Sequence, residues 1–254
     1  MNELIFGPDS YAESVQRVSD RLAYEKRTWH LQTAMSVALE GLSNTGKSTL
    51  ARRLEEKLRG DCLNVVHLEG DLFQKSREES MLMYCQLLEE VEKGASVPDD
   101  FPSRVWNYDK MKMELLIPLR SFQQDNEERG RIVLKDVLNE KKTGTEHTET
   151  YDIDRNTLIL TSGIYLRHLP EFNFVLFLDA DFEVIVQRKL DRTTKLGVVR
   201  DPSLTRKMVK LLELPVMKKH LANSRIPEGI VLDVTDFEKI RGFNIAGYTS
   251  PHII

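Results

Sequence analysis

Apolar residues fall along this chain in two rhythms. Short, nearly continuous apolar runs occupy Met35 to Leu39, Leu63 to Leu68, Asn156 to Ser162, Phe172 to Asp179 and Gly229 to Val234. Runs of this kind, bounded by turn residues, predict strands buried on both faces. Between them the spacing is helical. Leu50, Leu54 and Leu58 share a face, as do Met81, Cys85 and Leu88 within residues 77–93. Met111, Leu115, Leu119 and Phe122 share another, and Pro118 inside that stretch predicts a kink or split. Helices are also predicted from about Asp181, carrying Val184 and Ile185, and over residues 202–221. Five strands separated by helices predict an α/β fold, a parallel sheet with helices on both faces, with ligands at its carboxyl edge.

Three segments lie outside that alternation. Residues 10–34 predict an added helix: Ser10 and Glu13 make a capping box, and Tyr11, Val15, Val18 and Leu22 share a face. A packing helix and a dimerisation arm both fit it, so a homo-oligomer stays open. Arg131 to Leu138 and Glu146 to Ile153 predict a β-hairpin turning at Lys142-Thr143-Gly144. Thr235-Asp236-Phe237 predicts a short helix approaching a nucleotide base, and Gly242 to Ile254 an irregular surface tail.

The strand at Met35 runs into Gly41-Leu42-Ser43-Asn44-Thr45-Gly46-Lys47-Ser48-Thr49 and then into the Leu50 helix. This is the G-x-x-x-x-G-K-[ST] phosphate loop in its strand–loop–helix context. The glycines let backbone N–H groups wrap a phosphate chain at a helix N-terminus. Lys47 supplies a point charge and Ser48 a hydroxyl for Mg²⁺. The chain is expected to bind a nucleoside triphosphate.

Bulk composition narrows the class. With 254 residues, 41% hydrophobic and 30% charged, the chain fits a soluble globular protein. A net charge of −4 gives no basic field for nucleic acid, and no run is long enough for a membrane span. The first residues lack a secretory pattern, and Cys62 and Cys85 lack metal-ligand spacing, so a cytoplasmic protein with reduced thiols is expected. His147 among Thr and Glu reads as solvated.

The candidate chemistry beyond the loop is acidic, aromatic and then basic. Glu69-Gly70-Asp71 ends the second strand, where a carboxylate can accept a proton from an attacking hydroxyl. A helix cap or solvated turn is the alternative. Arg104, Trp106, Tyr108 and Asp109 read equally as a small-molecule pocket or as simple packing. Arg188, Arg192, Lys195 and Arg200, near Gly197, suggest a lid over phosphates at about 188–201, against the alternative of a solvated helix end.

On these elements, from Met35 to Val234, the chain resembles the P-loop kinase superfamily. Within it, the chain is similar to the uridine kinase, phosphoribulokinase and pantothenate kinase group. The resemblance rests on Gly41 to Ser48, Asp71-Leu72-Phe73, Trp106 to Asp109, the hairpin, Gly163-Ile164-Tyr165-Leu166 and the Arg188/Arg192 helix. It implies a three-layer fold over residues 35–254 with a hairpin insertion at about 131–153 and a helical extension over residues 1–34. It implies ATP and Mg²⁺ as donor and metal, and a small-molecule acceptor phosphorylated on a hydroxyl, most often of a nucleoside. By position it makes Lys47 the phosphate ligand, Ser48 the metal ligand, Asp71 the base and acceptor anchor, and Arg188, Arg192 and Arg200 lid cations. Tyr108 and Asp109 fall where the group contacts its acceptor. Three departures stand out. Ser162-Gly163 replaces a Glu-Gly whose Glu helps hold the metal, which leaves Glu40 and Glu69 as substitutes. Lys110-Met111 replaces a His-Pro, and Lys195-Leu196-Gly197-Val198 replaces an Arg-Gly-Arg lid segment. They leave a sugar or vitamin acceptor, a sugar-nucleotide acceptor, or a regulatory protein with weakened catalysis as alternatives. No Asn-Lys-x-Asp guanine motif or second motor module appears.

Overall fold

The structure is a computed structural model that describes residues 3–28, 33–60, 63–125, 127–138, 146–167, 169–195, 201–223, 228–246 and 248–252. In chain order it runs β1 (Leu4–Asp9), α1 (Tyr11–Thr28), β2 (Met35–Gly41), α2 (Lys47–Gly60), β3 (Asn64–Glu69), α3 (Arg77–Glu92), α4 (Phe101–Val105), α5 (Tyr108–Met111) and α6 (Ile117–Asp125). There follow β4 (Arg129–Leu138), β5 (Glu146–Asp154), β6 (Thr157–Gly163), β7 (Phe174–Asp179), α7 (Phe182–Lys195), α8 (Pro202–Met208), α9 (Leu214–Asn223), β8 (Gly229–Asp233) and β9 (Ile240–Asn244).

One sheet organises the molecule, in the order β1-β9-β8-β7-β2-β6-β3. The five apolar runs are its parallel strands β8, β7, β2, β6 and β3. Every residue of β2, β6 and β7 is buried, which is why these segments read as unbroken apolar runs. The sheet is wider than the five strands expected. β9 pairs antiparallel with β8, and β1 pairs antiparallel with β9. The N-terminal extension is therefore not helical alone: Leu4–Asp9 is an edge strand in which only Phe6 is buried. Gly7 and Pro8 interrupt its pairing, as suits an edge. The capping box of α1 forms as expected, with Ser10 N donating to Glu13 Oε2 at 2.9 Å.

Other differences are local. In α3 the buried residues include Tyr84, Leu87 and Leu88, and this turns Cys85 out to solvent. Pro118 produces a change of register: residues Lys112–Leu116 form a π-turn that hands over to α6 one residue before the proline. The wide turn makes room for the ring and its missing N–H. The same device recurs at Pro215, where the π-turn Val209–Glu213 precedes α9. Residues 235–239 form a turn capped by Asp236, not a helix. The tail is docked as well: Tyr248 Oη and Ser250 Oγ both donate to Asp179 Oδ2, at 2.9 and 2.6 Å. The hairpin β4–β5 forms, and its expected turn lies outside the described residues. Among the described residues no helix is long and apolar enough to cross a membrane.

Candidate functional site

The phosphate loop springs from the centre of the sheet, between β6 and β7. Gly41 ends β2 at φ 150°, and a Cβ there would lie 2.4 Å from the Leu178 carbonyl oxygen. Only glycine fits so close to the next strand. Thr45 Oγ1 donates to the Leu42 carbonyl at 2.9 Å and closes the loop from inside. Gly46, at φ 99°, then starts α2, whose Leu50 N–H donates to the Gly46 carbonyl at 2.9 Å. The first amides of that helix have no partner one turn back, which is the arrangement that takes anions.

Lys47 folds back over the loop. Its Nζ donates to the carbonyls of Gly41 at 2.9 Å and Leu42 at 2.6 Å. Burial lowers its pKa to about 8, opposed by the charges of Asp71, Glu213 and Glu40 and aided by that of Arg192. An ammonium that is partly desolvated and hydrogen-bonded only to carbonyls is what a phosphate ligand would relieve, so the loop fits a polyphosphate. Ser48 is the next residue and half-buried. A Mg²⁺ bound with a triphosphate takes most of its ligands from phosphate oxygens and water, so one hydroxyl here fits that ion. Among the described residues no three His, Cys, Asp or Glu side chains gather as a metal cage.

The loop is gripped from below by two buried charge clusters. Glu213, at the end of the second π-turn, accepts from Lys189 Nζ at 2.5 Å and from Ser43 Oγ at 2.7 Å. Burial raises the Glu213 pKa, but Lys189, Ser43 and Lys47 outweigh it and leave it lowered. Glu40 is completely buried immediately before Gly41. Arg167 Nε donates to its Oε2 at 3.0 Å, and His220 Nε2 to its Oε1 at 2.5 Å. Burial pushes the Glu40 carboxyl up, yet His220 and Arg167 hold it at about 2. Both Glu40 oxygens thus face protein partners. Glu69, half-buried at the end of β3, lies in register with Ser162, whose Oγ is 3.2 Å from His67 Nε2.

Asp71 sits exposed on the 3-10 turn Gly70–Phe73, against which β4 of the hairpin packs. Three contacts tie this turn to the aromatic segment: Asn107 N donates to the Phe73 carbonyl, Lys75 N to the Val105 carbonyl, and Gln74 bridges Trp106. Tyr108 is buried and its Oη donates to the Ile164 carbonyl at 2.9 Å. Its neighbours in the sequence are placed differently. Asp109 is exposed, and Arg104 is exposed and paired with Asp100 on its own helix.

The basic helix divides its two arginines. Arg192 is exposed and its charge reaches Lys47. Arg188 donates to the carbonyls of Val234 at 2.8 Å and Thr235 at 3.3 Å, and its guanidinium lies 4.0 Å over the Phe237 ring. Phe237 in turn meets the phosphate loop: a Cβ on Gly46 would be 3.2 Å from its Cζ. Arg200 lies outside the described residues. Phe237 lies in the segment expected to approach a nucleotide base, whereas Glu213, Lys189, Arg167 and His220 were not singled out by sequence as site residues. Their contacts link segments far apart in the chain, and no local pattern announces them.

Comparisons with known proteins agree with this geometry. The family model of adenylylsulphate kinases matches residues 33–82, the stretch that holds the loop and Asp71. No curated protein matches the chain. Among solved structures, the YFH7 protein of Saccharomyces cerevisiae is similar at 14% identity over 86% of this chain and 99% of its own, with a TM-score of 0.58. A D-glycerate 3-kinase of Cryptococcus neoformans is similar at 11% identity over 92% of this chain and 99% of its own, with a TM-score of 0.54. The loop, the parallel sheet around it and these likenesses show that the chain has the fold of the P-loop kinase superfamily.

Proposed function

We propose that this protein is an ATP-dependent phosphotransferase acting on a hydroxyl of a small acceptor. The observation that carries the reading is that Lys47, folded over the phosphate loop at the carboxyl end of β2, feels the charges of both Asp71 and Arg192. In this reading the amides of the loop and Lys47 hold the phosphate chain. Ser48 contributes a ligand to Mg²⁺, which when bound neutralises phosphate charge. Asp71 accepts the proton of the attacking hydroxyl, and Arg192 stabilises charge on the transferred group. Arg188 and Phe237 form a wall for the base, and Tyr11, whose ring centroid is 5.5 Å from that of Phe237, buttresses it from the N-terminal unit. The acceptor approaches Asp71 from beneath the hairpin. A nucleoside is the leading acceptor, and a sugar or vitamin the alternative.

The test is acceptor-dependent ADP release across nucleosides, sugars, pantothenate and other vitamins. Lys47→Ala should abolish it, and Asp71→Asn should lower it by about 10²–10⁴-fold. Near-full turnover in Asp71→Asn would remove Asp71 from the role of base. One observation favours a second reading. Ser162, held by His67, stands where a metal-holding Glu would be expected, and Glu40 is occupied by Arg167 and His220. A nucleotide-binding regulatory protein would bind Mg-ATP and transfer to no acceptor at all.

A further inference from the structure

A cavity of about 740 Å³ lies between the α3–α4 connection and the segment formed by the second π-turn and α9. Its lining includes Tyr108, Tyr165 and His220. Each has its polar atom engaged by the protein: Tyr108 Oη on the Ile164 carbonyl, Tyr165 Oη on the Glu213 carbonyl at 3.2 Å, and His220 Nε2 on Glu40. These residues therefore present ring surface to an occupant rather than a set of free donors. Val216 continues the apolar wall. Ser96, Ser103 and Asn223 add neutral polar groups to the lining, and all three are exposed.

The charged side chains of the lining differ in how they are used. Lys219 is paired with Asp99. Lys210, exposed on the π-turn, forms no ion pair among the described residues. The cavity thus offers aromatic and aliphatic surface, a few neutral polar groups and, in Lys210, a cation without an ion pair among the described residues, chemistry that suits an apolar body ending in a single anion.

Its position links it to the nucleotide site without making it part of that site. Lys47, Ser48 and Asp71 do not line it. Yet His220 holds Glu40, the residue before Gly41, and Tyr165 rests on the backbone of Glu213, whose carboxylate takes the Ser43 hydroxyl. An occupant pressing on Tyr165 and His220 acts on both grips of the phosphate loop. We propose that this cavity binds a small amphipathic anion, an apolar or aromatic body ending in one carboxylate or phosphate, and that its occupancy changes nucleotide affinity. The inference rests on the loop binding nucleotide, and the cavity shares Tyr108 with the expected acceptor contact while Asp71 and Asp109 do not line it.

Trp106 is a built-in reporter. It is 5% exposed, and its ring lies 6.5 Å from that of Tyr108 and 6.0 Å from that of Tyr165. In a Trp29→Phe background, the full-length protein is titrated with octanoate and, separately, with the neutral 1-octanol. Octanoate should change Trp106 fluorescence saturably and bind at least about tenfold more tightly than 1-octanol, a factor suited to one charge-assisted contact. Lys210→Glu should erase that preference, and Val216→Phe should weaken both probes by filling the wall. Saturating octanoate should shift the ATP dissociation constant several-fold in calorimetry, and ATP should shift octanoate binding by the same factor. Equal binding of the two probes, or no saturable signal, would overturn the site. An unmoved ATP affinity would overturn the coupling. Loss of ATP binding itself appears separately, as a missing ATP heat with the octanoate signal intact.

Discussion

Lys189 of α7 and Glu213 of the second π-turn form a buried ion pair at 2.5 Å, and the same carboxylate holds the Ser43 hydroxyl of the phosphate loop. Removing one member leaves the other charge buried without its counter-charge, which costs about 3–5 kcal/mol. Glu213→Ala should therefore lower stability in urea by about that amount. Glu213→Gln still offers an oxygen to Ser43 and should recover part of the loss. Equal stability of Glu213→Ala and the parent protein would show that the pair does not anchor the loop.

Glu40 makes stability depend on acid. Its carboxyl is held at about 2 in the folded protein, against 4.5 ordinarily. A carboxyl with a depressed folded value contributes stability that is present above the unfolded value and is lost as pH falls from about 4.5 to about 2. The contribution is on the order of 3 kcal/mol. Glu40→Gln should unfold more readily at pH 7 and show a flatter loss of stability between pH 5 and pH 2, roughly the window just given. Denaturant midpoints across that range decide it. A parallel slope in parent and variant would mean that other carboxylates control the acid limb.

The central strands β2, β6 and β7 were legible because burial on both faces leaves a nearly continuous apolar run to read, and β8 and the edge strand β3 keep shorter runs of the same kind. β1 and β9 were not: the edge strand Leu4–Asp9 buries only Phe6, and β9, which lies inside it, buries only Ile240 and Gly242. The phosphate loop was legible because its geometry demands fixed residue types at fixed spacing. Its supports were hidden because they join distant parts of the chain: Ser43 to Glu213, and Glu40 to both Arg167 and His220. Cys85 fits the helical spacing of α3 as well as Tyr84 does. The choice between the two faces was made by what packs against the helix, which spacing does not report. Arg188 shows the same limit, since its place on a basic helix says nothing of the direction in which it turns.

Lys47 should make nucleotide binding depend on base. Its ammonium has a pKa lowered to about 8 by burial, so it is charged below that pH and neutral above it. A bound phosphate favours the charged form, so binding should take up a proton near pH 8 and above. ATP affinity should be nearly flat below about pH 7.5 and fall by up to about tenfold per unit above 8.5. Calorimetry in buffers of different ionisation enthalpy measures the proton directly. Lys47→Ala should bind weakly and lose the proton uptake. If its proton uptake matches that of the parent, another group is responsible.

The two arginines of α7 should fail in different ways. Arg188 is turned to the carbonyls of Val234 and Thr235 and stacked on Phe237, on the side of the loop where Gly46 meets that ring. Arg192 is exposed, with its charge felt at Lys47. An interaction with the base is present in the ground and transition states alike, so its loss raises KM and leaves kcat alone. An interaction with charge developing on the transferred phosphoryl is made in the transition state, so its loss lowers kcat. Arg188→Ala should raise the KM for ATP by roughly several-fold to thirtyfold, the range of a partly desolvated stacking contact of about 1–2 kcal/mol. Arg192→Ala should lower kcat with little change in that KM. Steady-state kinetics with the acceptor saturating separates the two. A drop in kcat for Arg188→Ala at unchanged KM would return Arg188 to the lid role suggested by its helix spacing.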